Sequence, residues 1–319
     1  MVYRMTDQGK AYIFALMAVL LWSTAAAAFK VTFRYVDFVT LLWYASLVSL
    51  CVLFAIILIQ RKQAGLRPRN RTQLIRSLAG GILNPFCYYM VLFKAYAELP
   101  AQEAQPLNYT WPVVIALLAV PVLGDRLSPR SLLALLVSFF GVVVISTRGD
   151  VTGLRFANPL GASLAVGSSL VWASFWLLNV KDERDPVVKL FLNFVSGFVF
   201  LSIAVLVLAR TGIPVDRIHV PDAGIAAAGG IYSFPPRIGL AGALGCCYIG
   251  CFEMGFTFVL WLKALGLTAQ TAKVSNLILL SPFISLVFIR FVVGEQIMPS
   301  SVVGLVLIIT GVLIQRSAK

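Results

Sequence analysis

Charged residues are scarce in this chain, at 12% of its 319 positions, which is about half the ~25% typical of a soluble domain. Hydrophobic residues make up 60% of the sequence, and the mean hydropathy is +0.91. The apolar runs are about 20 residues long, the length that an α-helix needs to cross a bilayer. This balance excludes a soluble globular protein and predicts an all-α polytopic membrane protein.

Residues with catalytic or metal-binding chemistry are also few. The single histidine, His219, lies in a predicted loop, and no GxSxG, HExxH or phosphate-loop motif is present. All five cysteines fall within apolar runs, and no histidine or second pair completes a metal site beside Cys247 and Cys251. The sequence therefore predicts no enzyme, no cofactor and no metal centre.

The apolar runs predict ten transmembrane helices, and the stretch 210–237 between the seventh and the eighth is expected to be a long loop. The first run follows Arg4 and Lys10, as in a signal peptide, but its length favours a first span of the mature protein. The ten predicted spans cover residues 11–29, 37–60, 73–97, 102–121, 129–146, 158–179, 187–209, 238–263, 268–290 and 298–315.

The distribution of Lys and Arg predicts the orientation. With both termini in the cytoplasm, the inner loops and tails hold 16 basic residues and the outer loops hold 9, with Lys273 left inside a span. Most of the excess comes from the segment Gln60–Arg76. The positive-inside rule therefore predicts cytoplasmic N- and C-termini in an inner membrane. It also accounts for the net charge of +13 without a nucleic-acid partner.

An internal repeat divides the chain into two halves, residues 1–150 and 151–319. Corresponding spans are five apart, so each crosses the membrane opposite to its counterpart, and the halves are predicted to be inverted repeats around a central cavity. One sequence match pairs Trp22 with Trp172, which lies 150 residues later in the chain. At an offset of 170, the set Pro112, Gly124, Asp125, Pro129, Ser131, Leu135, Gly141 and Val142 is matched by Pro282, Gly294, Glu295, Pro299, Ser301, Leu305, Gly311 and Val312.

Ionisable residues within predicted spans are candidate functional groups, because a charge in the bilayer is costly. Glu253 lies near the middle of the eighth span, and Lys273 lies one to two turns into the ninth. Glu103 lies near the start of the fourth span, where its side chain is close enough to the interface to extend into water. We expect Glu253 to bind a ligand ammonium and either Lys273 or a helix N-terminus to bind a carboxylate.

Aromatic and amide side chains also occur at mid-membrane depth, away from the interfaces that usually attract tryptophan. Packing explains each of them alone, but together they predict a substrate cavity with aromatic walls. Its candidate residues, besides the two charges, are Trp22, Asn84, Tyr88, Tyr89, Asn108, Tyr109, Trp111, Trp172 and Asn276.

Prolines and glycines within spans mark candidate hinges. A proline removes a backbone donor and kinks a helix, and closely spaced glycines permit bending or close helix packing. The candidates are Pro85, Pro112, Gly250, Gly255 and Pro282. Small residues in the fifth and tenth spans, such as Gly141, predict helix contacts within one chain or between copies, so the oligomeric state stays open.

Three segments carry a family resemblance: LLWSTAAAAFKV, KAYAELPAQEAQPLNYTWP and KALGLTAQTAKVSN. With the paired Gly-acid steps Gly124–Asp125 and Gly294–Glu295, they resemble the EamA-type repeats of the drug/metabolite transporter superfamily. The first copy departs from the pattern, with Asp125 for the expected Glu and Ala134 where the second copy has Gly304. The resemblance implies ten helices in a basket, a cavity lined by spans 1, 3, 4, 6, 8 and 9, and export from the cytoplasm.

These observations together predict a secondary transporter that exports amino acids, with aromatic or hydrophobic ones favoured by the aromatic content. The partners predicted are a small-molecule substrate and the lipid bilayer. The alternatives are an exporter of another metabolite or drug with the same fold, a channel, and a membrane enzyme, which the lack of a catalytic set disfavours. Both proton coupling at Glu253 and passive facilitated flow are open from the sequence.

Overall fold

The structure, a computed structural model, describes residues 7–68, 70–123, 129–153, 155–180, 182–211, 233–267, 274 and 277–317. In these ranges the regular secondary structure is helical throughout, with no β-strand. The α-helices are α1 Asp7–Thr32, α2 Phe38–Ile59, α3 Arg71–Gly81, α4 Tyr88–Glu98, α5 Ala101–Asn108, α6 Trp111–Leu123, α7 Pro129–Ser146, α8 Pro159–Val180, α9 Pro186–Thr211, α10 Leu240–Tyr248, α11 Phe256–Leu267, α12 Ser281–Phe288 and α13 Pro299–Ser317.

Six helical stretches are long and apolar enough to cross a membrane, and the described residues contain three shorter apolar helices. The six are Asp7–Thr32, Phe38–Ile59, Ala101–Val122, Pro159–Asn179, Pro186–Thr211 and Leu240–Leu267. The chain is thus a polytopic helical membrane protein, while the count of ten spans and the inverted repeat stay predictions. Most of the predicted 210–237 loop, including His219, lies outside the described residues.

The starts of the helices are encoded locally. Four of them (α7, α8, α9 and α13) begin with proline, whose missing N–H is not needed in the first turn. Asp37 caps α2 by accepting hydrogen bonds from the amides of Val39 and Thr40. Asn70 caps α3 by accepting one from the amide of Gln73. These caps satisfy amides that have no partner within the helix.

Short π-helical turns interrupt the helices near the centre of the protein. One, Ile82–Cys87, joins α3 to α4 and contains Asn84 in a non-helical conformation (φ −148°, ψ 121°) followed by Pro85. A second, Ile249–Glu253, follows α10 and contains Gly250. They fall in the third predicted span of each half, and such turns often occur at functional sites.

The fifth and tenth predicted spans, α7 and α13, pack against each other within the chain. A Cβ atom added to Gly141 would lie 2.7 Å from the carbonyl oxygen of Gly304, and one added to Gly304 would lie 2.7 Å from that of Gly141. Two helix backbones approach this closely only where small residues face each other. The sequence left open whether Gly141 contacts a helix of the same chain or of another copy. The structure shows that Gly141 and Gly304 contact each other within one chain.

We expect Gly141→Ala to lower the free energy of unfolding by about 1–3 kcal/mol, the usual cost of overpacking, because the added methyl group would press on a backbone oxygen. The measurement is the thermal unfolding temperature of the purified protein. Gly167→Ala is the matched control, since no atom lies within 4 Å of a Cβ at that helical glycine. Equal effects of the two substitutions would contradict the close α7–α13 contact.

The buried core forms two hydrophobic clusters that meet around two tryptophans. The larger cluster includes Phe29, Tyr89 and Phe194, and the smaller includes Val19 and Trp261. The side chains of Trp22 and Trp176 pack against both clusters. The boundary between them is where the aromatic side chains surround a cavity.

Candidate functional site

A cavity with aromatic walls lies where the two core clusters meet. Its volume is about 90 Å³, which is room for a few water molecules. It is smaller than the roughly 300–1,000 Å³ of a typical small-molecule site. The described lining residues are Trp22, Ala25, Ala26, Phe29, Tyr88, Tyr89, Leu92, Tyr96, Gln105, Asn108, Tyr109, Trp111, Trp172, Trp176, Glu253, Phe258, Trp261 and Ile278.

Eight of the eleven candidate cavity residues line this space, and they come from both halves of the chain. They are Trp22, Tyr88, Tyr89, Asn108, Tyr109, Trp111, Trp172 and Glu253. Asn84 is fully buried in the π-turn before α4 but does not line the cavity, and its two side-chain amide atoms have no hydrogen-bond partner. Lys273 and Asn276 lie outside the described residues.

Several lining residues were missed by the sequence analysis. Gln105, Trp176 and Phe258 also face the cavity, as do Tyr96 and Trp261. Trp176 follows Trp172 by one helical turn, and Phe29 lies seven residues after Trp22 on the same helix face. The helical period, extended from each predicted residue, was the signal that would have found them.

Trp172 is the centre of the aromatic wall. Its ring stacks on Tyr88 at a centroid distance of 4.6 Å and an interplanar angle of 28°. It also contacts Phe175 at 5.6 Å, Trp176 at 5.8 Å and Phe258 at 5.7 Å. Each such aromatic pair contributes about 0.5–1.5 kcal/mol beyond its buried area, so this side chain couples α4, α8 and α11.

Glu253 is the charged residue among the described lining residues. It ends the π-turn before α11, and its Oε1 atom accepts a hydrogen bond of 3.2 Å from the hydroxyl of Tyr89. Its Oε2 atom is buried and has no partner within the described part of the chain. A buried carboxylate oxygen without a donor is costly, so this atom is available to a hydrogen-bond donor.

Two further polar atoms of the cavity are buried without a partner. They are Oε1 of Gln105, an acceptor, and Nε1 of Trp176, a donor. Asn108, in contrast, is satisfied, because its Nδ2 atom donates to Ser168 Oγ at 2.8 Å and its Oδ1 atom accepts from Tyr88 at 3.5 Å. The cavity therefore offers two acceptors and one donor that have no partner in the described part of the chain.

The candidate hinge residues lie at helix interruptions or starts. Pro85 and Gly250 lie within π-turns, and Gly255 lies in the turn just before α11. Pro112 is the second residue of α6 and Pro282 the second of α12, and each follows a turn that interrupts a longer helical stretch, Ala101–Val122 and Leu277–Val293 respectively. Tyr88, Tyr89 and Glu253 thus stand beside π-turns, and bending at those turns would move the cavity walls.

A network of hydrogen bonds joins the start of α5 to the segment after Gly294. Gly294 adopts a left-handed conformation (φ 84°) and turns the chain, and the Glu295 carboxylate then accepts hydrogen bonds from the amides of Ala101 (2.8 Å) and Gln102 (3.2 Å). The side chain of Gln102 donates to the carbonyl of Gln296 and accepts from the amide of Met298. The second half of the chain thereby caps α5, which begins one turn (~6 Å) before Gln105.

Glu103 also has a partner in this region. Its carboxylate is 1% exposed and accepts a 2.9 Å hydrogen bond from Nε of Arg148, which is 47% exposed. The candidate charge is therefore held as an ion pair next to the capped start of α5. The repeat counterparts Gly124 and Asp125 lie outside the described residues.

Comparisons with known proteins identify the family. The chain matches the EamA-like transporter family over residues 9–147 and 159–316. It is 26% identical over 208 residues to the "Uncharacterized transporter YyaM" of Bacillus subtilis, covering 63% of this chain and 60% of that protein. It is 26% identical over 125 residues to the "Aromatic amino acid exporter YddG" of Ancylobacter novellus, covering 39% and 42%. The chain therefore spans less than two thirds of the length of these two relatives.

Two further comparisons extend over the whole chain. An "Uncharacterized transporter" of Archaeoglobus fulgidus is 22% identical over 305 residues, covering 95% of this chain and 96% of that protein. A crystal structure with 17% identity superimposes with a TM-score of 0.62, covering 97% of this chain and 96% of the other. At that identity the likeness shows the fold alone. With family matches to both halves of a helical membrane chain, the protein belongs to the EamA-like transporter family.

Proposed function

We propose that this protein is a secondary transporter that exports amino acids, preferentially aromatic or hydrophobic ones, by alternating access. The observation that carries the proposal is the aromatic cavity with three unpaired polar atoms at the meeting point of the two core clusters. Support for the family comes from the EamA match, and support for the substrate comes from the name of the YddG relative.

The unpaired atoms correspond to the two ends of an amino acid. An ammonium group is a donor and fits the acceptors Glu253 Oε2 and Gln105 Oε1. A carboxylate is an acceptor and fits the indole N–H of Trp176. An aromatic side chain would stack on rings such as Trp172, with a contribution of about 0.5–1.5 kcal/mol for each ring pair. Lys273 is the further candidate for the carboxylate.

The small volume of the cavity supports a closed state for the described conformation. An amino acid needs more than 90 Å³, so the walls must separate when it enters. The π-turns at Ile82–Cys87 and Ile249–Glu253 stand beside three of the lining residues. Bending there would open the cavity without unfolding a helix, as alternating access requires.

A transporter of the same fold for another solute is the second candidate. The charge of the cavity argues against phosphorylated metabolites, because Glu253 would repel an anion and no basic residue is among the described lining residues. An amine drug would fit the same acceptors, and competition with amino acids separates these two solutes. A channel is a third candidate, which would pass its solute without saturation.

The proposed setting is a bacterial inner membrane with both termini in the cytoplasm, and the proposed direction is export. The sequence bias of 16 inner against 9 outer basic residues supports the orientation. If Glu253 carries a proton during transport, a pH gradient across vesicles will change the rate. An unchanged rate would identify passive facilitated flow instead.

The test is uptake of labelled tryptophan, phenylalanine, leucine and glutamate into proteoliposomes, with unlabelled competitor. We expect saturable uptake of the two aromatic amino acids, weaker uptake of leucine and none of glutamate, whose extra negative charge opposes Glu253. No uptake of any of the four would overturn the amino acid proposal while leaving the family assignment intact.

Trp172→Ala is expected to abolish saturable aromatic uptake, because this ring contacts Tyr88, Trp176 and Phe258 in the cavity wall. Removing a buried tryptophan also costs about 3–5 kcal/mol of stability, so a control is needed. Trp43→Ala removes an equally buried tryptophan that does not line the cavity. Loss of the aromatic preference in both variants would contradict a specific role for Trp172.

A further inference from the structure

A second cavity, of about 680 Å³, lies away from the aromatic site and is polar rather than aromatic. It is formed by the start of α3, the short helical turn Gln63–Leu66 before it, and the connection between α8 and α9. The lining residues are Gly65, Arg67, Asn70, Thr72, Gln73, Arg76, Asp182, Glu183, Arg184, Asp185 and Val188.

Two of the three acidic residues of this cavity are already neutralised by the protein. Arg184 holds Asp182 through a 2.6 Å contact of Nη2 with Oδ2 and also donates to Ser77 Oγ at 2.8 Å. Burial by itself would raise the pKa of Asp182, but the hydrogen bonds from Arg184 outweigh it and hold the pKa below its usual value. Asp185 pairs with Lys62 at 2.6 Å and caps α9. Glu183 is exposed.

Two arginines of the cavity have no carboxylate partner among the residues that the structure describes. They are Arg67, which is exposed, and Arg76, which is half-buried on α3. The segment Gln60–Arg76 contains six basic residues and no acidic one. The first turn of α3 also faces this cavity through Thr72 and Gln73, and the positive end of a helix adds to the attraction for an anion.

The apolar surface beside the cavity indicates which kind of anion it would take. Leu74, Ile75 and Leu78 on α3, and Ile82 directly after it, are 40–53% exposed. A soluble phosphate has no apolar part that would contact such a surface, whereas the acyl chains of a phospholipid would lie along it. A topology signal needs only basic residues near the end of a span. It does not need a cavity in which two of the three acids are neutralised and two arginines lack a carboxylate partner among the described residues.

We propose that this cavity binds the phosphate headgroup of an anionic phospholipid through Arg67 and Arg76, with the acyl chains on the apolar face of α3. Clusters of four to eight basic residues next to a span commonly recognise anionic lipids. The site lies on the loops that connect the second to the third and the sixth to the seventh predicted spans. A lipid bound in this cavity would contact both α3 and the α8–α9 connection and would hold the two together.

The test compares wild type with the double variant Arg67→Gln/Arg76→Gln in detergent. Phosphatidylglycerol, phosphatidylcholine or inorganic phosphate is added, and bound lipid is counted by native mass spectrometry. We expect wild type to bind phosphatidylglycerol in preference to phosphatidylcholine, and the variant to lose roughly tenfold or more in affinity. The matched control is Arg237→Gln/Arg290→Gln, which removes two exposed arginines that do not line this cavity.

Three results would overturn the proposal. One is equal binding of phosphatidylglycerol by wild type and by the Arg67/Arg76 variant. Another is an equal loss in the control variant, which would show that net charge alone attracts the lipid. The third is full competition by inorganic phosphate at matched concentration, which would identify a site for a soluble anion. Thermal unfolding of each variant without lipid shows whether it has folded.

Discussion

Glu253→Gln is expected to weaken the binding of phenylalanine by about 10- to 100-fold. The Oε2 atom of Glu253 is buried in the aromatic cavity without a donor from the described protein. A ligand ammonium would supply that donor. A hydrogen bond to a charged group contributes about 1.5–3 kcal/mol, and ~1.4 kcal/mol corresponds to a factor of ten in affinity. Glutamine keeps the shape of the side chain but removes its charge.

Three ligands with the same ring separate the roles of the two ends. Phenylalanine carries both an ammonium and a carboxylate, phenethylamine carries the ammonium alone, and 3-phenylpropionate carries the carboxylate alone. We expect Glu253→Gln to weaken the binding of phenylalanine and phenethylamine and to leave the binding of 3-phenylpropionate unchanged or stronger. Lys273→Ala is expected to weaken phenylalanine and 3-phenylpropionate but not phenethylamine. The measurement is competition against labelled phenylalanine in proteoliposomes.

Tyr89→Phe is the matched control for Glu253. It removes the hydroxyl that donates to Glu253 Oε1 at 3.2 Å but leaves the carboxylate and the aromatic wall in place. A loss of at most a few-fold is expected, because the lost hydrogen bond contributes only about 1 kcal/mol in net terms. If the Glu253→Gln and Lys273→Ala variants both transport all substrates normally, the hypothesis that these two charges bind the two ends of the substrate is wrong.

Glu295→Ala is expected to favour the conformation that is open at the face where this residue caps α5. The substitution leaves the amides of Ala101 and Gln102 without their acceptor. Two hydrogen bonds to a carboxylate contribute about 3 kcal/mol together, so the ratio of open to closed molecules should rise by roughly 100-fold. The measurement is the labelling rate of Gln105→Cys, in a protein with its native cysteines replaced, by a membrane-impermeant thiol reagent.

The controls for this experiment use other acids of the chain. Asp150→Ala removes a carboxylate whose hydrogen bonds, among the described residues, come from Thr152 and Gly153 in its own turn, so labelling should not change. Asp125 is the counterpart of Glu295 in the sequence repeat. Because the halves are predicted to be inverted, Asp125→Ala should raise labelling from the opposite face. A drop in thermal stability without faster labelling would show that Glu295 is a helix cap and no gate.

Much of the fold was accessible from sequence because it depends on composition and period. Runs of about 20 apolar residues are too long and too many for a soluble protein. In a bilayer the backbone N–H and C=O groups must then form their hydrogen bonds within helices. The paired Gly-acid steps and the following prolines were enough to predict the family, which the match over both halves confirms. Eleven candidate cavity residues were chosen because polar and aromatic side chains in the middle of a predicted span avoid the lipid. Eight of them line one cavity.

The features left undecided all join residues that are far apart in the chain. Tyr89 and Glu253 are 164 residues apart, and Ala101 and Glu295 are 194 apart. Periodicity within a helix shows which side chains share a face, but not which face of another helix meets it. Gln105 and Trp176 each share a helix face with a predicted cavity residue, so the helical period could have added them once that face was known to line the cavity.

The sequence by itself determined that the chain is helical, lies in a membrane, repeats internally and places polar groups at mid-depth, because these properties follow from residue type and spacing. Only the tertiary structure decided that Gly141 meets Gly304 within one chain, that Glu253 Oε2 faces a cavity unpaired, and that Glu295 caps α5. The physical reason is that each of these depends on the packing of separate helices. Tertiary packing alone sets which donors and acceptors find partners and which are left for a ligand.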